Sequence, residues 1–177
     1  MVEVSAATWR SRLGLARHPE GGWFRRVYAS RQVLPQAVLS PEFKGPRPQA
    51  SAIYYLLEGE EVSHFHRIAS DEIWHHYDGA ELSVVELTPE GVLTVHRLGK
   101  NPEQGAVPFC VIPAGHWFGA LLPSAGKSHA LVGCTVIPGF DFAEHEMGNR
   151  QDLLEEYPEH HEWILRLTQD AGEPDGR

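Results

Sequence analysis

Between Ala50 and Ile137 the chain is a succession of short β-rich runs: SAIYYLL, VSHFH, EIWHHY, ELSVVEL, VLTVHRL, FCVIP, HWFGALL and HALVGCTVI. They are broken at EGEE, ASD, DGA, TPEG, GKNPEQG, PAG and PSAGKS. Aromatic and β-branched runs separated by Gly, Pro and Asp at this spacing are the pattern of an all-β sandwich or barrel. No stretch of helical period interrupts them, which argues against the strand–helix alternation of a parallel α/β sheet.

The flanks read differently. Ser5 is placed to cap a short helix carrying Trp9 and Leu13, with Gly14 at its end. HPEGG (residues 18–22) reads as a turn and WFRRVYAS (23–30) as a strand, while the four prolines between Gln32 and Gln49 predict a long loop. After PGFDFAEHEM, helical spacing returns: Leu153, Leu154 and Tyr157 precede Trp163, Ile164 and Leu167, with Pro158 at the first turn of a second helix. This organisation predicts one domain over residues 1–170 and a flexible tail over 171–177.

The formal charge is −9, from 15 Lys and Arg against 24 Asp and Glu. No basic run is long enough to track nucleic acid or an anionic membrane, and no apolar run reaches the ~18 residues of a membrane span. A cytoplasmic protein is expected. Cys110 and Cys134 lie far apart in apolar strands and read as buried, reduced thiols.

Chemistry concentrates in SHFHRIASDEIWHHYDG, residues 63–79. On a regular strand His64 and His66 share a face, as do Glu72, Trp74 and His76 on the next. Two imidazoles and a carboxylate form a ligand set for Mn, Fe, Ni or Zn. The same residues also suit a metal-free base, His66, oriented by Asp71 or Glu72. His18, in a Pro and Gly turn, has two readings, orienting a loop at the barrel mouth or, as is ordinary for such a turn, an exposed residue; His96 and His129 have no evident partner in sequence.

Gly59, His64, His66, Glu72 and Gly79 together resemble the first motif of the cupin superfamily, and Gly105 through VIPAGHWFGA resembles the second. In the second, Phe118 stands at the position of the metal-binding His, and His116 lies two residues earlier. A closer resemblance covers nearly the whole chain. LGLxxHPEGGWFRRVYxS, HRIASDEIW, PGFDFAEHE and LLEEYPEHHEWILRLT are similar to the small stand-alone cupin-5 branch, domain of unknown function 985. The resemblance implies a double-stranded β-helix (a jelly-roll barrel) with short N- and C-terminal helices, commonly a homodimer. It carries over His66, Ser70, Asp71, Glu72 and Trp74, and Arg25 matches the family's Arg. Arg26 stands where Glu is common, and His145 where an aromatic is common.

Three functional expectations follow. The first is an epimerase or isomerase acting on a small polar or anionic, sugar-like substrate. His66 would be its base beside Asp71 or Glu72, a Tyr such as Tyr54, Tyr55 or Tyr77 would return the proton, and Arg25 and Arg67 would be anion clamps. Tyr55, Trp74, His76, Trp117 and Phe118 would complete its substrate-binding surface. The second is a metal-dependent isomerase or dioxygenase with His64, His66, Glu72 and His116 as ligands. The third is a small-molecule-binding module walled by Phe65, Trp74, Trp117 and Phe118.

Overall fold

A computed structural model describes residues 4–123 and 128–169; the expected tail at 171–177 lies outside them. Helix α1 (Ala6–Leu13) begins where the Ser5 hydroxyl accepts the Thr8 N–H at 3.2 Å and ends at Gly14 in the left-handed conformation. Strands β1 (Ala16–Arg17) and β2 (Trp23–Ala29) follow. The proline-rich stretch is mostly loop, with β3 (Val33–Leu34) and β4 (Arg47–Pro48) forming a small separate pair.

The barrel strands are β5 (Ser51–Glu58), β6 (Val62–Arg67), β7 (Asp71–Gly79), β8 (Leu82–Leu87), β9 (Leu93–Leu98), β10 (Phe109–Ile112), β11 (Trp117–Leu121) and β12 (His129–Ile137). The short β13 (Glu146–Met147) precedes α2 (Arg150–Glu156). Pro158 opens a 3-10 turn that runs into α3 (His161–Leu167).

Two antiparallel sheets are formed, in the orders β1-β2-β5-β12-β7-β10 and β13-β6-β11-β8-β9. This is the all-β jelly roll with short terminal helices. Side chains of the two inner faces meet in one core: Tyr55, Trp74 and Val132 from the first sheet, Leu82, Val84 and Phe118 from the second. Each such side chain contributes roughly 1.5–3 kcal/mol by leaving water. The outer face of the second sheet is covered by α2 and α3, whose Leu153, Ile164 and Leu167 pack on Phe65, Val85 and Trp117. Part of the first sheet's outer face is covered by α1 at Leu56 and Leu131. The rest leaves Tyr77, Phe109, Val111 and Ile137 exposed. Cys110 and Cys134 are free and buried on either side of Trp74, and burial pushes the Cys110 thiol up to about 12. Among the described residues, no helix is long and apolar enough to cross a membrane.

One irregularity shapes the site. Phe118 of β11 lies opposite His66, but Ala120 lies opposite Ser63, so Gly119 faces both His64 and Phe65. The extra residue on β6 is a β-bulge, which reverses the alternation of side chains. A Cβ at position 119 would come within 2.7 Å of the Ser63 carbonyl, so the bulge sits against a residue that has none. The consequence is that Ser63 and His66 point inward together, while His64 turns to an outer groove beside Arg17 and Glu60.

Candidate functional site

At one end of the barrel, the inner face of the first sheet lines a cavity of about 40 Å³. Its polar wall is His18, Glu20, Arg26, Ser51 and Glu72; its apolar wall includes Phe24, Ile53, Tyr55, Trp74, Phe140 and Phe142. Strands β2, β5, β7 and β12 supply one part, and the HPEGG turn and the segment after β12 supply the rest.

The HPEGG turn is what brings Glu20 inside. The Gly21 N–H donates to the His18 carbonyl at 3.0 Å and the His18 N–H to the Gly22 carbonyl at 3.1 Å. Gly21 and Gly22 both have positive φ, and a Cβ on Gly21 would lie 2.1 Å from the Val62 carbonyl oxygen. Only glycine lets the turn press this closely onto β6. Tyr55 Oη fixes it further by donating to the Gly21 carbonyl at 2.7 Å. The Glu20 carbonyl accepts the His64 N–H at 2.9 Å and His64 Nδ1–H at 2.8 Å, which is where His64 is spent.

The Glu20 carboxylate is surrounded by donors. His145 Nε2 donates to Oε1 at 2.7 Å, Ser63 Oγ donates to Oε2 at 3.4 Å, and His66 Nε2 lies 3.3 Å from Oε2. His18 Nδ1 is 3.6 Å from Oε2 and accepts the Glu20 N–H. His66 Nδ1 donates to the His64 carbonyl at 2.8 Å, which turns its Nε2 towards the carboxylate. His66 also rests on the Phe118 ring, 4.1 Å between centroids, and stacks on His145 at 5.3 Å.

His145 arrives on the strap from Gly139 to Glu146, which lies largely outside both sheets. Its Glu144 pairs with Arg47, accepting from Nε at 2.9 Å and again from Nη2, and accepts the Lys44 N–H at 2.8 Å. The Phe140 N–H donates to Ser51 Oγ at 2.9 Å. Phe140 and Phe142 meet edge to face and form the collar of the cavity.

The two carboxyls of the cavity differ in charge. Burial alone would raise Glu20, but His66, His145 and His18 outweigh it and hold the group down at about 2. Glu72 is buried without a cation, and burial together with the negative Glu20 pushes it up to about 8, against a hydrogen bond from Cys134. Glu20 is thus driven towards the ionised form and Glu72 towards the protonated one. Burial lowers both His18 and His66, with Glu20 opposing.

Several sequence-predicted residues are placed elsewhere. Asp71 is exposed and accepts the Ala114 N–H at 2.9 Å. Arg25 is exposed and donates to the Leu13 carbonyl; Arg67 pairs with Glu146 over the Trp117 ring. Trp117 and Phe65 face the C-terminal helices. His76 gives Nε2 to the Ala80 carbonyl, and His116 joins His96 on Glu86, each at 2.6 Å. Glu72, Tyr55 and Trp74 line the cavity; His66 and Phe118 stand behind Glu20. The expected ligand set of His64, His66, Glu72 and His116 is therefore dispersed, by the bulge at His64 and by the pairing of His116 with Glu86. Glu20, His66 and His145 instead offer ligand atoms within 4.8 Å of one another, a set that fits a divalent cation. Sequence reasoning missed Glu20; of its two readings of His18, the ordinary one, an exposed residue, fails against a side chain that is 6% exposed and lines the cavity. The signal lay in HPEGG and in His145 where an aromatic is common.

A jelly-roll barrel with imidazoles and carboxyls gathered at one end defines a cupin-type protein. This chain belongs to the family described as Cupin superfamily (DUF985), whose model matches residues 7–148. An uncharacterised protein of Saccharomyces cerevisiae is 29% identical over 150 residues, 79% of this chain and 73% of that one. A solved structure from Shewanella oneidensis is 34% identical with a TM-score of 0.84, covering 95% and 99% of the two chains. A hypothetical protein from Leishmania major is 28% identical with a TM-score of 0.85, covering 94% and 100%. Oxalate decarboxylase of Bacillus subtilis, 12% identical with a TM-score of 0.52 over 90% of this chain and 37% of that one, shares the fold alone.

The opposed carboxyls make stability depend on pH. Glu72 is raised on folding, so its contribution is full below the unfolded value near 4.5 and is lost as pH rises through about 8. Melting temperature should fall between pH 5 and about 9 in the wild type, and the fall should be largely absent in Glu72→Gln, as measured by thermal melts across that range.

Proposed function

We propose that this protein is an enzyme of the epimerase or isomerase type that moves a proton on a small polar, anionic substrate. The observation that carries this reading is the presence, in one cavity, of two buried carboxyls in opposite surroundings: Glu20 among three imidazoles, and Glu72 without a cation. Pairs of titratable groups driven apart in this way mark a base and an acid. Glu20 takes the proton from a carbon next to a carbonyl; Glu72 gives its proton to the carbonyl oxygen, and the electron pair of the broken C–H bond becomes the enol double bond. Return of a proton to the opposite face yields an epimer, and to a neighbouring carbon an isomer. His66 and His145 act through Glu20 as positioning residues, which replaces the expected role of His66 as the base. Tyr55 is committed to the Gly21 carbonyl and shapes the turn.

A second reading is favoured by the cluster of Glu20, His66 and His145. These three residues would hold a divalent metal, Mn, Fe, Ni or Zn, which would act as a Lewis acid on a carbonyl oxygen. The fixed Nδ1–H of His66 is the outer hydrogen bond that metal-ligating histidines commonly make.

The uncovered outer face of the first sheet, with Tyr77 at 45% and Phe109 at 54% exposure, supports the homodimer that the family resemblance implies.

The first test is deuterium exchange into carbonyl substrates, followed by proton NMR. Exchange should decline as pH rises through about 8 and should drop about 10²–10⁴-fold in Glu20→Gln and in Glu72→Gln. Ligand binding with no exchange on any carbonyl compound would leave a binding module. Elemental analysis decides the metal reading: near-stoichiometric metal in the wild type that disappears in His145→Ala supports it, and metal-free protein whose melting temperature ignores added Mn, Fe, Ni and Zn removes it. For the dimer, Phe109→Glu should convert a two-chain species into single chains in sedimentation; a wild type that sediments as a single chain refutes it.

A further inference from the structure

We infer that a divalent cation held by Glu20, His66 and His145 latches the strap over the cavity, so that metal binding controls how readily the aromatic collar parts for a ligand. The inference rests on the metal-binding part of the second reading and gives the site a task besides Lewis-acid chemistry.

The strap is fastened to the barrel at its two ends. At one, the Phe140 N–H donates to Ser51 Oγ on β5; at the other, Glu146 and Met147 pair with Arg67 and His66 on β6. Between these anchors its polar contacts run to the proline-rich loop. Glu144 accepts from Arg47 and from the Lys44 N–H, and Asp141 Oδ2 lies 4.0 Å from Arg47 Nη1. Among the described residues, one hydrogen bond joins residues 141–145 to the barrel strands or the HPEGG turn, that of His145 Nε2 to Glu20 Oε1 at 2.7 Å.

That single bond governs the collar. The His145 ring packs edge to face on Phe140 and Phe142, with centroids 5.9 and 5.6 Å away, so the place of His145 fixes the place of both collar rings. The strap is also a partition one segment thick. Phe140 and Phe142 line the cavity on one side, and Ala143, Glu144 and His145 line a groove on the other. A cation therefore has a route to His145 from outside, without passing through the cavity.

The three ligand residues come from three separate parts of the fold: Glu20 from the HPEGG turn, His66 from β6 and His145 from the strap. Their ligand atoms lie within 4.8 Å of one another. His66 and His145 do not line the cavity, which places their shared ligand atoms in the join between strap and frame. Without a cation this join is one hydrogen bond, of modest net strength. Coordination by all three residues ties the strap to the turn and to β6 at once, because metal binding is coupled to the ordering of the segments that supply the ligands.

An aromatic at position 145, as the family resemblance implies, keeps the ring packing and loses the ligand. His145→Phe thus separates the latch from the scaffold.

The test is hydrogen–deuterium exchange read by peptide mass spectrometry, on metal-free wild type and His145→Phe, each with and without added Zn(II). Zinc content is measured in parallel by elemental analysis after gel filtration. The Phe140, Glu144 and His145 N–H groups are hydrogen-bonded and report opening of the strap. The expected result is stoichiometric zinc in the wild type, with exchange over residues 139–146 slowed about tenfold or more and exchange over β8 unchanged. His145→Phe should show no slowing. Stoichiometric zinc without slowing at 139–146, or with equal slowing over β8, overturns the latch and leaves the metal site standing. Slowing that persists in His145→Phe also overturns the latch. A wild type that binds no zinc overturns the latch together with the metal reading beneath it.

Discussion

A carboxylate taken out of water costs several kcal/mol unless charge and hydrogen bonds replace its hydration. Glu20 is such a group, and the surroundings of the cavity are arranged around that cost. Imidazoles from the HPEGG turn, from β6 and from the strap approach its two oxygens, with Ser63 between them. The same negative charge is part of what keeps Glu72 protonated across the cavity. Burial is the larger cause and the charge of Glu20 the smaller, and the chemistry proposed for the pocket depends on both carboxyls.

The barrel supplies what such an arrangement needs, a rigid frame with few degrees of freedom. Phe118 illustrates it: β11 places its ring against His66 on one side, and its backbone pairs with Glu86 on the other. The inner face of the second sheet therefore carries two separate carboxylates bonded to imidazoles, Glu20 reaching in from a turn and Glu86 held by His96 and His116. Only the first opens on the cavity.

The fold was legible because strand runs and turn residues are local signals. Ser5 and Gly14 bound α1, and Pro158 opens the turn before α3, as their chemistry predicts. Glu72 and Trp74 face inward for the same reason, since regular alternation puts them on one side of β7, whereas alternation alone does not choose among Tyr54, Tyr55 and Tyr77. His64 was not, because a β-bulge is set by the neighbouring strand, here at Gly119, and leaves no mark in the spacing of HFH itself. Glu20 and His145 were not legible from periodicity, being 125 positions apart in sequence and joined only by the closing of the barrel. Of the two positions where the resemblance implies a different residue, Arg26 lines the cavity, and His145 bonds Glu20 without lining it.

The strap between Gly139 and Glu146 has a further consequence for how such proteins diverge. It supplies the aromatic collar and one imidazole, yet it is fastened mainly by the buried Arg47–Glu144 pair and by Ser51, with little share in the sheet ladders. Changes in its length or side chains would alter what enters the cavity while leaving almost every rung of the barrel in place. What the cavity admits and what holds the barrel together are in this sense encoded by different residues.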